Sequence, residues 1–227
     1  MQKAIFRQLF KDKLTKIKHS KNKIALDYKI QKQLTKELHN IIKNNKLKKG
    51  NKPLNILFYY PLALEFNCKK LLYYYKKQQN VKIFLPFMHN FGFKMVKFRL
   101  PLQKKAFGVY EPPNSSNPSK KIDIAIIPVI GMDQNFKRIG FGKGMYDRAF
   151  YSLKNKPYNI FICRAFNYTH SSITQSHDIQ ASSFITPFLS LKLKGKNHGN
   201  LDCNKLHSLR ISSRRRKLHH IKEALTQ

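Results

Sequence analysis

Residues 122–130 read IDIAIIPVI, the most apolar stretch of the chain, and they do not alternate with polar positions. A strand with one wet face alternates, whereas a near-continuous apolar run belongs to a strand covered on both faces, as in a parallel sheet with helices packed above and below. Leu54 to Tyr60, Val81 to Leu85 (closed by Pro86) and Tyr158 to Cys163 are further runs of strand length, and Phe93 to Leu100 alternates more loosely. Between them lie segments with helical spacing. From Lys3 to about Asn45 apolar residues recur as Ile5, Leu9, then Ile24, Tyr28, then Leu34, Leu38, Ile41, with a break near His19 to Asn22. Glu65 to Lys77 and Tyr146 to Leu153 also read as helical, and Gly108 to Ser119, with three prolines, reads as loop. The expected architecture is α/β and three-layered, a mostly parallel sheet flanked by helices in a single domain over residues 1–187.

Size and charge set the outer bounds. A chain of 227 residues with 17 Phe and 11 Tyr can bury one sizeable core but hardly two. Residues 188–227 are polar and basic with no core-sized apolar face, so they read as a basic C-terminal tail, disordered or weakly helical. The formal charge of +34 has two readings: a phosphate-rich partner, or lysine spread over solvated faces. The dispersal of lysine from Lys3 to Lys222 favours the second, so specific nucleic-acid binding is not expected. No run approaches the roughly 18 apolar residues of a membrane span, and Lys3, Arg7, Lys11, Asp12 and Lys13 interrupt any signal-peptide core; the expectation is a cytoplasmic protein without a membrane partner. Three cysteines without metal-ligand spacing argue for reduced thiols.

After the apolar strand come Gly140, Gly142 and Gly144 in alternation, then a helix opening near Tyr146. Glycines in such a turn permit positive φ and let backbone N–H groups approach an anion; the following helix terminus adds partial positive charge. Arg138, Lys143 and Arg148 surround the turn, and Asp147 offers a hard oxygen ligand for Mg2+. The spacing matches neither the Walker loop nor the dinucleotide fingerprint, and a purely structural tight turn remains the competing explanation.

At these residues the chain resembles the 5-formyltetrahydrofolate cyclo-ligase family. Its signature is a buried strand ending in Pro, an aromatic-Asp pair, then R-[L/I]-G-x-G-x-G-[YF]-Y-D. Here it stands as Pro128, Met132-Asp133, and Arg138-Ile139-Gly140-Phe141-Gly142-Lys143-Gly144-Met145-Tyr146-Asp147. Lys3 and Arg7, Tyr60-Pro61 with Glu65, Gly108 to Pro112, and His177-Asp178 follow the family's order. Four positions depart from it: Met145 and Met132 replace aromatics, Phe136 stands where glycine is usual, and Ser182 where Asp is common.

The resemblance implies ATP as co-substrate, with Mg2+, and 5-formyltetrahydrofolate as substrate. The formyl oxygen attacks the γ-phosphate, and N10 closes on the activated carbon with loss of phosphate. Lys3, Arg7, Arg138 and Lys143 are then the candidates for charge stabilisation. With Ile139, Gly140, Phe141, Gly142, Gly144, Met145 and Tyr146 they form the nucleotide site, and Asp147 is the metal ligand. Tyr60, Glu65, Tyr110 and Tyr146 are assigned to the folate. Each has a plainer alternative: Lys3 and Arg7 suit a solvated helix face, Tyr60 core packing, Glu65 a helix-dipole partner. His177 is expected to be structural. The competing functions are a basic nucleic-acid-binding protein and a nucleotide-binding α/β protein without turnover.

Overall fold

The computed structural model describes residues 2–49, 52–105 and 108–192. Helices α1 (Lys3–His19) and α2 (Lys23–Lys49) are separated at Ser20, whose hydroxyl accepts the Asn22 amide at 3.1 Å. Then follow β1 (Leu54–Leu57), α3 (Lys69–Lys76), β2 (Val81–His89), β3 (Gly92–Lys97), the short pair β4 (Gln103–Lys104) and β5 (Tyr110–Glu111), and β6 (Ile124–Pro128). After β6 come β7 (Gly131–Asp133), β8 (Arg138–Ile139), α4 (Met145–Tyr151), β9 (Tyr158–Ile162), β10 (Tyr168–Thr169), β11 (Ser183–Ile185) and β12 (Ser190–Lys192).

The main sheet has the order β12-β11-β9-β6-β1-β2-β3. Its five inner strands run parallel, and β3 and β12 close the two edges antiparallel. The sheet is therefore mixed, mostly parallel as its unalternated strands imply. All five residues of β6 are buried, and the pleat divides them between two layers. Ile124 and Ile126 pack with Ile30, Leu34 and Leu38 of α2 and Leu71, Leu72 and Tyr75 of α3. Ala125 and Ile127 pack with Leu14 of α1 and Ala149 of α4. None of the helices in the described residues is long and apolar enough to cross a membrane.

Several sequence expectations are corrected. β2 continues through Pro86 to His89, because beyond the Leu57–Phe84 pair it has lost its β1 neighbour and become an edge, where proline is tolerated. The strand expected from Phe93 is β3, which ends at Lys97 short of Leu100 and pairs with β2 as an antiparallel hairpin. The helix expected from Glu65 begins at Lys69, leaving Glu65 in a turn closed by its own amide donating to Leu62 O at 3.0 Å. Within the expected loop 108–119, Tyr110–Glu111 pairs with β4, and the buried Glu111 carboxylate accepts the Met88 amide at 3.0 Å. α4 is only seven residues long, so its dipole contributes little to any anion site.

β12 lies beyond Pro187, where the sequence reading ended the domain, and it buries Leu191 against the second core layer. Residues 193–227 of the expected tail lie outside the described residues. Burying a leucine contributes about 1.5–3 kcal/mol. A chain ending at Pro187 should therefore melt below one ending at Lys192 by about 3–12 °C in thermal denaturation; equal melting temperatures would remove β12 from the folded unit.

Candidate active site

The site is built where β6 leaves the sheet. At Pro128 the chain turns into β7 and β8, which form a small second sheet with β10 and deliver Arg138 beneath the glycine turn. Arg138 is buried to 6% exposure. Its Nη1 donates to Asp147 Oδ2 at 3.3 Å, its Nη2 to Pro128 O at 3.4 Å, and its guanidinium lies 4.8 Å from the Tyr146 ring centroid. Its Nε is buried with no hydrogen-bond partner. Gly140 packs so closely on this guanidinium that a Cβ would collide with it, and Gly144, at φ 57°, occupies the left-handed region as it opens α4. Asp147 is held in turn by the Ile179 amide, which donates to Oδ1 at 3.2 Å.

The first helix closes one side. Arg7 Nε donates to Gly140 O at 3.0 Å, and Lys3 Nζ pairs with Asp178 at 2.6 Å, joining residues 175 apart in sequence. Asp178 also accepts the Gln175 amide at 2.7 Å. Together these residues wall a cavity of about 520 Å3, lined by Lys3, Arg7, Arg138 and Arg148 against Asp147 and Asp178, with Gly140, Gly142 and Gly144 at its edge. Four cations against two carboxylates favour an anionic ligand.

A second cavity, about 340 Å3, lies on the other side of the glycine turn. Tyr60 and Tyr110 line it with ring centroids 4.9 Å apart, and Lys69 Nζ sits 4.6 Å from the Tyr60 centroid. Tyr146 lines it too, edge-on to Phe93 at 4.9 Å, and burial pushes its phenol well above the usual range. Glu65 is its carboxylate. Oε2 accepts the Leu62 amide at 2.8 Å. Burial raises the Glu65 carboxyl to about 7, against the Leu62 amide and the charges of Arg138 and Arg164, which pull it down. Arg138 and Gly144 line both cavities.

The structure thus brings Tyr60, Glu65, Tyr110 and Tyr146 together in one cavity and Lys3, Arg7, Arg138 and Asp147 in the other. Four residues assigned to the nucleotide from sequence fall elsewhere than expected. Ile139 is fully buried with Phe6 and Ile130 and lines neither cavity. Lys143, Phe141 and Met145 line the aromatic cavity and not the cationic one, because alternate residues of the turn point to opposite sides of it. His177 is exposed at the rim of the cationic cavity.

Two further groups had no role assigned from sequence. Arg164 forms a bidentate pair with Asp27 at 2.7 and 2.9 Å and donates to Ala63 O at 3.0 Å, tying α2 to the turn that carries Glu65. Asp133 accepts four backbone amides, of Asn135, Lys137, Ile173 and Thr174, and the Thr174 hydroxyl. It anchors the β7–β8 turn to the segment leading to His177. An acidic residue within a helix or at the end of a strand gives no hint in sequence of the distant groups it pairs with.

The profile of the 5-formyltetrahydrofolate cyclo-ligase family matches residues 2–187, the span that contains every element of both cavities. The chain belongs to this family. Among its relatives, the 5-formyltetrahydrofolate cyclo-ligase of Haemophilus influenzae is 28% identical over 161 residues, covering 67% of this chain and 81% of that protein. The fold is that of the 5,10-methenyltetrahydrofolate synthetase of Aquifex aeolicus, with a TM-score of 0.60 and 20% identity over 87% of this chain and 95% of that one. The 5,10-methenyltetrahydrofolate synthetase from Mycoplasma pneumoniae gives 0.56 and 22% over 82% and 98%. Within this fold the turn from Arg138 to Asp147 is the partition between the two cavities.

Two outcomes follow from these contacts. Asp27→Ala leaves the buried Arg164 guanidinium without its carboxylate and should lower unfolding free energy by about 3–5 kcal/mol in denaturant titration. Glu65 has a raised folded-state value, so the folded chain keeps a proton that the unfolded chain releases near its ordinary 4.5. Its contribution is full below that value and fades as pH climbs through about 7. Melting temperatures measured from pH 5 to 8 should therefore show Glu65→Gln gaining on the wild-type chain as pH rises; a constant difference would contradict the assignment.

Proposed function

We propose that this chain closes 5-formyltetrahydrofolate to 5,10-methenyltetrahydrofolate, coupled to cleavage of ATP to ADP and phosphate. The observation that carries the reading is the shared wall: a cationic cavity and an aromatic cavity meet at Arg138 and Gly144. A reaction that transfers a phosphoryl group onto a pterin-borne oxygen needs such a junction, since both reactants must be held in line at one point.

On this reading the triphosphate lies among Lys3, Arg7 and Arg138 with the amides of residues 140–144 turned towards it. The pterin lies among Tyr60, Tyr110 and Tyr146, which offer ring faces, while Glu65 hydrogen-bonds its amino-pyrimidinone edge. The formyl oxygen attacks the γ-phosphorus, the bond to the bridging oxygen breaks, and ADP leaves. The N10 lone pair then adds to the formyl carbon, the carbon–oxygen bond breaks, and phosphate departs; the N10 proton is released. A formamide oxygen is a poor leaving group until it is phosphorylated, so charge stabilisation at the transferring phosphoryl is the protein's main task. Arg138 is preorganised for it by Asp147, Pro128 O and Tyr146, and its unpartnered Nε is a donor still to be used. Lys143, on the aromatic side of the turn, approaches the same point from the folate.

The donor set bears on Mg2+. Asp147 and Asp178 are the carboxylates lining the cationic cavity, and among the described residues no cluster of three or more His, Cys, Asp or Glu could hold a metal. That fits an ion arriving on the phosphates, which Asp147 would help to hold. When bound it supplies charge neutralisation to the phosphate oxygens.

The test is absorbance detection of methenyl-folate from 5-formyltetrahydrofolate with and without MgATP. Product should form only with MgATP; ATP binding without product would leave a nucleotide-binding protein. Arg138→Ala should lower kcat/KM for ATP by about 2–4 kcal/mol equivalent, roughly 30- to 1000-fold. Glu65→Gln should raise KM for the folate and leave KM for ATP near wild type.

A further inference from the structure

Tyr151, the last residue of α4, is 96% exposed, the most exposed of the large apolar and aromatic side chains described. It has no role in the core. Yet it lines the cationic cavity, one helical turn after Asp147, and it also lines a third cavity of about 820 Å3 that shares Tyr151 and Asp178 with the first. Apart from Tyr151 and Ile173, the side chains lining the cationic cavity are charged, amide or imidazole, or the residues are glycine.

We infer that Tyr151 is the stacking platform for the purine base of the nucleotide, placing the base at the junction of the cationic cavity and its neighbour. The inference rests on the cyclo-ligase reading, which puts the triphosphate at Lys3, Arg7 and Arg138 and gives the aromatic cavity to the pterin. The base is then the one part of ATP without an assigned surface. A planar aromatic group gains most from an aromatic or aliphatic face, and Tyr151 and Ile173 are what the cavity offers. The neighbouring cavity adds Asn159, Gln180 and Ser182 for the base and ribose edges, and Lys137, Lys154 and Lys156 at its border. The offset of one turn along α4 between Asp147 and Tyr151, about 6 Å, leaves room for the sugar between phosphates and base. An exposed ring in this place costs little stability and contributes only when a ligand covers it.

The experiment is calorimetric titration of ATP and of inorganic tripolyphosphate into the wild-type chain, Tyr151→Ala and Tyr151→Phe, with steady-state kinetics alongside. Tyr151→Ala should weaken ATP roughly 5- to 100-fold, the range for removing one aromatic from beneath a base. Tyr151→Phe should stay within about twofold. Tripolyphosphate should bind all three proteins alike, and kcat at saturating ATP should not move. The inference is overturned if Tyr151→Ala binds ATP as the wild type does, if it loses ATP and tripolyphosphate together, or if it loses the folate instead. A wild-type chain that forms no methenyl product but binds ATP with this Tyr151 dependence would sink the cyclo-ligase reading and keep the base site. A wild-type chain that binds no ATP would sink both.

Discussion

Everything in the site turns on the burial of one guanidinium. Arg138 enters from a two-residue strand, lies under a glycine that has no room for a side chain, and is held by a carboxylate, a carbonyl and a ring face. A buried cation without compensation would be prohibitive, and an exposed one would be mobile and screened. Partial satisfaction gives a fixed charge whose Nε has no partner in the protein. The same arrangement sets the spacing of the turn around it, and the turn separates a cationic cavity from an aromatic one.

Distant parts of the chain converge on that turn. Residue 3 meets residue 178, residue 7 meets residue 140, and the 179 backbone holds both Arg138 N and the Asp147 carboxylate. The two ends of the domain are therefore stitched at the cationic cavity, and α1 serves as one of its walls as well as a cover for the sheet. Such non-local assembly makes the site a property of the completed fold.

The departures from the family's usual residues are absorbed locally. Phe136 adopts φ 55°, the left-handed conformation that glycine would take without strain. Its amide donates to Asp133 O at 3.0 Å and its carbonyl accepts the Ala181 amide at 2.8 Å, so the surroundings hold it there. Met132 is fully buried, and Met145 packs on the second core layer, each an apolar replacement for a ring. Ser182, where an acid is common, accepts the Asn159 amide through its hydroxyl at 3.1 Å and caps the junction of β9 with the preceding loop.

The sequence by itself determined the layers. Unalternated runs at 54–60, 122–130 and 158–163 can be buried only between two helical layers, and the break at His19 to Asn22 separates α1 from α2 at the residues where the helices part. The glycine turn with its cations was equally readable, because positive φ and close backbone approach leave a glycine-specific mark. What tertiary structure decided was side and pairing. Which face of the turn Lys143 takes, that Ile139 is sealed in the core, that Pro86 sits within an edge strand, and that Asp27 is bound to Arg164 all depend on which segments the completed fold lays beside them. Periodicity reports how a segment meets solvent; it carries no information about which distant segment meets it.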